Sequence, residues 1–186
     1  MPKATRSTKR KVNKPAPVKL GSSLLRVNYF DGQLLSAADL RAEQEYLLAR
    51  SRRHNRFLHG VGVICGLGVT IGNNEIHIEP GMAIDCAGNE LCLPEPVTLA
   101  IPRNAVFTVI LQYTESLIAP VPNVGEAAIA FSRIKEGVRV QVSNETKEVD
   151  PSCKTASGCG RGHGLSIATI KRQRGRWQIS LQARHK

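Results

Sequence analysis

GVGVICGLGVTIGNNEIHIEPGMAIDCAGNELCLPEPVTLAI, residues 60–101, is the stretch on which the fold turns. Its apolar and β-branched residues come in short runs, and each run is broken by glycine, proline or the Asn73-Asn74 pair, the punctuation of short strands and tight turns. The same grammar continues downstream, with strand candidates at Val106 to Tyr113, Ala127 to Ile134 and Gly137 to Val142. A final pair, LSIATIKR (165–172) and RWQISLQ (176–182), predicts a hairpin turning at Arg174-Gly175. Seven or more short strands without intervening helices predict a mainly β, compact sandwich or barrel-like domain over 61–186.

Upstream the pattern changes. LLRVNYFDGQLL (24–35) crowds Tyr29 and Phe30 against the turn pair Asp31-Gly32, which reads as an extended arm with an aromatic anchor. Ser36 then supplies a hydroxyl to cap the amides of Ala38 and Asp39, and Asp39 places negative charge near a helix start. The spacing predicts one long amphipathic helix from about Ala37 to about Leu58, stopped at Gly60. Leu40, Leu47 and His54 fall near one stripe, and Arg50, Arg52, Arg53 and Arg56 load the last turns, where cations suit the helix dipole.

The chain has 186 residues and a formal net charge of +11, concentrated at one end. Residues 1–23 hold Lys3, Arg6, Lys9, Arg10, Lys11, Lys14 and Lys19 with no acidic residue, which leaves four of the eleven net charges for the rest. Such a tail has little to bury and is expected to be disordered until a partner orders it. Two partners suit it, nucleic-acid phosphates or acidic protein faces. No aromatic residue interleaves with these cations, so base stacking is not favoured. No run is long and apolar enough to span a bilayer, and the N-terminus lacks the apolar core of a secretory signal, so the protein is expected to be cytoplasmic at synthesis.

Chemistry-bearing motifs are sparse. The glycines of GVGVICGLGV precede no helix and so lack the phosphate-cradling geometry. His54, His59, His77, His163 and His185 are scattered, no serine sits in a nucleophile elbow, and Asp85 beside Cys86 reads as a turn cap before Gly88 rather than an acid paired with a thiol. The pattern predicts no catalytic residue and no small-molecule substrate.

Five cysteines at irregular spacing do not form a secreted disulfide framework. Cys153, Cys159 and His163 lie in one glycine-rich loop that can bring two thiolates and an imidazole to a structural zinc ion. A fourth ligand would come from elsewhere, with Cys86 and Cys92 the nearest in type. A Cys153 to Cys159 disulfide and reduced thiols are the alternatives. No other cofactor is implied.

In order along the chain, RVNYFDGQLLSAADLRAEQEYLLARSRRHNRFLHGVGVICGLGV (26–69), IEPGMAIDCAGNEL (78–91), YTESLIAPVP (113–122), FSRIKEGVRV (131–140) and LSIATIKRQRGRWQIS (165–180) resemble a family of bacterial proteins associated with phage-tail-like contractile injection systems. The resemblance implies a structural component of the baseplate region, or an accessory to it, that works through contacts with other proteins of a multi-subunit particle and without catalysis. The lysine-rich tail departs from the pattern, and many relatives carry the block within longer chains. On this reading the tail cations, Tyr29, Phe30, Arg52, Arg53 and Arg56 are the partner-binding residues. A nucleic-acid-binding protein and a small metal- or thiol-dependent enzyme are the competing readings, in that order.

Overall fold

A computed structural model of the chain describes residues 23–122, 129–144, 159 and 162–181. The cationic tail therefore lies outside the described residues, except for its last position, as does Cys153.

The arm over 23–36 carries no regular secondary structure, and its turn closes with Gln33 N–H donating to the Phe30 carbonyl at 3.2 Å, with Gly32 at φ 82°. Helix α1 spans Ala37–His54. It opens on a reciprocal cap in which the Asp39 N–H donates to Ser36 Oγ at 3.2 Å and the Ser36 N–H donates to Asp39 Oδ2 at 2.9 Å. The α-helical ladder then loosens into a π-helical turn, Asn55–His59, and ends at Gly60 with φ 75°. The expected helix is thus present with its expected stop, and its last turn is π rather than α.

Ten strands follow among the described residues: β1 Gly62–Gly66, β2 Val69–Gly72, β3 Glu75–Ile78, β4 Gly81–Ile84, β5 Glu90–Leu93, β6 Val97–Ala100, β7 Val106–Pro122, β8 Ile129–Ser143, β9 Leu165–Gln173 and β10 Arg176–Leu181. They form three antiparallel sheets in the orders β1-β4-β5, β2-β3-β6 and β10-β9-β7-β8. Asn73 and Asn74 turn the β2–β3 hairpin with φ 51° and 62°, the left-handed conformation a two-residue hairpin loop demands.

All three sheets share one core, and no sheet closes on itself among the described residues. Val63, Ile76, Ile78, Leu91, Phe107, Val109, Leu111, Ile167 and Ile170 belong to a single buried cluster drawn from every sheet. Phe107 is fully buried and meets Trp177 edge-on, with ring centroids 5.6 Å apart. Truncating it to alanine would cost about 3–5 kcal/mol, the usual range for an aromatic removed from a close-packed core.

One expectation is corrected. Among the described residues, the strand candidates at Ala127 to Ile134 and Gly137 to Val142 join from Ile129 onward into one continuous strand, β8, running through Gly137, and β7 extends well past Tyr113. β9 pairs with β7 only from Val106 to Leu111. Beyond that the distal halves of β7 and β8 pair with each other alone, from Tyr113↔Val138 to Pro122↔Ile129, as a two-stranded ribbon leaving the sheet.

Candidate functional site

Two places gather polar chemistry, and both are built on the turn between β4 and β5. The turn is organised by Asp85, a fully buried carboxylate. Its Oδ1 accepts from the N–H groups of Ala87 at 2.8 Å and Asn89 at 2.9 Å, and its Oδ2 accepts from Asn89 Nδ2 at 2.8 Å. Asp85 is the turn cap its spacing from Gly88 predicts, and its lone pairs are occupied by amides. Buried polar groups are tolerated when so satisfied, and the turn is held rigid as a result.

Cys86 sits on this turn and is buried. The loop entering β9 brings Cys159 and His163 to it, so that ligand-capable atoms of the three residues all lie within 4.8 Å of one another. Cys159 Sγ and His163 Nδ1 are 3.5 Å apart. Of the loop residues singled out by sequence, the structure therefore brings Cys159 and His163 together, adds Cys86 from a distant turn, and leaves Cys153 outside the described residues. Cys65 and Cys92 are exposed thiols elsewhere on the sheets.

The second place is a shallow cleft of about 220 Å³ where the end of α1 meets the turn and the ribbon, lined in part by Arg52, Asn55, Gly88, Glu90, Tyr113 and Glu136. Asn55, buried in the π-helical turn, donates from Nδ2 to the Gly88 carbonyl at 3.0 Å and to Glu90 Oε1 at 3.3 Å. Arg52 lies 3.4 Å from Glu115 Oε1 and 5.7 Å above the centre of the Tyr113 ring. Tyr113 donates its hydroxyl to Glu115 at 2.9 Å. Burial first, and then the carboxylates of Glu115 and Glu136, push the Tyr113 phenol well above the ordinary tyrosine range, so it stays neutral. The cleft pins the helix to the β domain with acceptors, a neutral phenol and one guanidinium.

The partner-binding residues read from sequence divide accordingly. Tyr29 and Phe30 stand out from the arm, 47% and 66% exposed. Arg53 is exposed, whereas Arg52 is engaged within the chain by Glu115 and Tyr113, and Arg56 stacks over Phe57 at 5.2 Å. No residue of α1 is buried, and its apolar stripe, including Leu40 and Leu47, faces outward.

Sequence reading missed the ribbon. Leu117, Ile118, Val121, Ile129, Phe131 and Ile134 all present large apolar side chains to solvent there. The signal that could have found it is the run LIAPV, apolar on consecutive positions, which a one-sided strand has no use for.

No family model matches the sequence, and no curated protein matches it significantly. Among solved structures, the fold is similar to the crystal structure of TssK, with a TM-score of 0.50 and 14% identity over 85% of this chain and 41% of that one. It is also similar to a chain of the type VI secretion system TssK-TssF-TssG baseplate subcomplex seen by cryo-electron microscopy, with a TM-score of 0.49 and 9% identity over 87% of this chain and 61% of that one. A chain of the baseplate complex from the type VI secretion system gives a TM-score of 0.47 and 11% identity over 86% of this chain and 58% of its own length. At such identities the likeness is one of fold, and the chain spans less than two thirds of each of these proteins.

Proposed function

We propose that the chain is a structural component of a phage-tail-like contractile injection particle, associated with its baseplate and acting through protein–protein contacts rather than catalysis. The observation that carries this is the exposure of large apolar side chains on three elements that no part of the described chain covers. Leu34 on the arm is 94% exposed, Leu58 at the helix end 70%, and Ile129 on the ribbon 70%. Isolated exposed apolar residues are ordinary, but apolar side chains gathered on an arm, a helix and a two-stranded ribbon describe surfaces meant to be covered. A ribbon of two strands is also marginal in water unless something packs on it. The resemblance of its sequence blocks to proteins of contractile injection systems and the fold likeness to TssK support the same reading.

In this reading residues 1–23 are a cationic tail, 24–60 an arm and helix that reach neighbouring subunits, and 61–186 the β-rich body. The partners are other proteins of the particle, met first in the cytoplasm. The test is to purify tail-like particles from the native cell by gradient sedimentation and follow the chain by quantitative mass spectrometry. Co-sedimentation with sheath and tube, in fewer copies than sheath, and loss of assembled baseplates on deletion are expected. A chain that stays in the slow fractions while intact particles form without it overturns the reading.

A further inference from the structure

We infer that Cys86, Cys159 and His163 are three ligands of a structural zinc site that fastens the β4–β5 turn to the loop entering β9. This stands independently of any role in a particle. Zinc bound tetrahedrally by sulfur at about 2.3 Å and imidazole nitrogen at about 2.05 Å sets a sulfur-to-nitrogen edge of about 3.6 Å and a sulfur-to-sulfur edge of about 3.8 Å. Cys159 Sγ and His163 Nδ1 are 3.5 Å apart, and the whole set falls within 4.8 Å. Two residues of a glycine-rich loop thus meet a third from a remote turn, with the edge between Cys159 and His163 at the tetrahedral length and the edges to Cys86 no longer than 4.8 Å.

The donor set also fits the ion. Two thiolates with an imidazole favour zinc over the hard cations, which select oxygen. Binding releases the two thiol protons to solvent and changes no oxidation state. Cys86 is buried, and both oxygens of the adjacent Asp85 are taken by amides of Ala87 and Asn89, so that carboxylate positions the Cys86 turn and is not a general base for a bound water. The site is therefore a staple. The same turn supplies the Gly88 carbonyl that receives Asn55 from the helix end, so the ion also steadies the platform on which α1 docks.

The test uses the full chain, purified without a polyhistidine tag from reduced cytosol. Elemental analysis is expected to find about one zinc per chain, as a structural site of this kind requires. Cobalt(II) exchanged into the wild-type protein is expected to give thiolate-to-metal charge-transfer absorption and the intense visible bands of tetrahedral coordination. Cys86→Ser and Cys159→Ser are each expected to lower zinc affinity in chelator competition by at least about tenfold, the lower edge of what even an outer-shell loss costs. Cys65→Ser and Cys92→Ser should leave it unchanged. A metal-free protein in which Cys86 and Cys159 are both alkylated under native conditions overturns the inference. So does a Cys86–Cys159 disulfide, or a cobalt spectrum without thiolate bands, and the last holds even if the serine variants fail to fold.

Discussion

Asn55 and Gly88 join the helix to the β domain: the Asn55 side-chain amide donates to the Gly88 carbonyl across 3.0 Å, in a buried contact between residues far apart in sequence. Gly88 is at φ 92°, and a Cβ there would fall on the Arg52 carbonyl. The helix backbone and the turn are thus in direct contact, a closeness only glycine permits. Gly88→Ala is expected to cost about 1–3 kcal/mol from backbone strain alone, with the overlap on Arg52 added. Asn55→Ala is expected to cost about 1–3 kcal/mol by leaving the buried Gly88 carbonyl unmet. Hydrogen exchange separates these effects from global unfolding, since the amides of residues 48–59 should lose protection while those of β7 and β9 keep it.

Asp85 tests the turn itself. Asp85→Ala strands two backbone donors and the Asn89 amide in a buried place, and each unmet buried donor costs about 1–3 kcal/mol. A Tm drop larger than that of Asn55→Ala is expected by calorimetry. Asp85→Asn should recover part of it, because one carboxamide oxygen can still accept from Ala87 and Asn89. Equal stability of the two variants would show that the turn does not depend on this acceptor.

Much of this was legible in residue order, and the parts that were not share a physical cause. The Asn73-Asn74 turn, the Ser36 cap, the Gly60 stop and the Arg174-Gly175 hairpin are local, fixed by backbone conformations few residues tolerate. The β7–β8 ribbon reads as pieces because Pro120 and Gly137 look like breaks, and because its distal part, exposed on both faces, has no reason to alternate. Its length became visible only through strand pairing. Residue type alone leaves Cys86 and Cys92 as equal candidates beside Cys159 and His163, and the choice of Cys86 requires the topology that lays the β4–β5 turn beside the loop entering β9.

The helix cap makes a pH prediction. Hydrogen bonds from the Ser36 side chain and then its backbone N–H hold the Asp39 carboxyl below its ordinary value. A depressed carboxylate contributes stability that is present above the unfolded-state pKa and is lost as pH falls through the folded value. Helical circular dichroism should therefore weaken on acidification through that window. Asp39→Asn should flatten this part of the curve, and an unchanged acid limb in that variant would count against the cap.

The arm offers a choice between two outcomes. Were the Phe30 ring buried in its own chain, Phe30→Ala would cost on the order of 3 kcal/mol. The ring is 66% exposed, so the variant is expected to keep its unfolding free energy within about 0.5 kcal/mol of wild type, as surface changes do. If the arm anchors a neighbour, the same variant should be depleted from purified particles, and so should Phe131→Ser on the ribbon. Wild-type incorporation of both variants would remove these surfaces from the assembly.

The last prediction concerns Cys153, which the sequence places in the same glycine-rich loop as Cys159 and His163 and which lies outside the described residues. A closed structural zinc site takes four protein ligands, whereas a site with three leaves a position for water. Cys153→Ser is therefore expected to weaken zinc binding at least about tenfold and to shift the cobalt spectrum by the loss of one thiolate. Stripping the ion with a chelator at neutral pH should lower Tm in the wild type and do little further in the Cys86→Ser, Cys153→Ser double variant, which has no site left to empty. It should also raise exchange at residues 48–59, because the Gly88 carbonyl that holds Asn55 belongs to the turn carrying Cys86. If Cys153→Ser binds zinc as tightly as wild type, the fourth position belongs to another group. If chelation changes neither Tm nor exchange near Asn55, any ion present does not brace the helix platform.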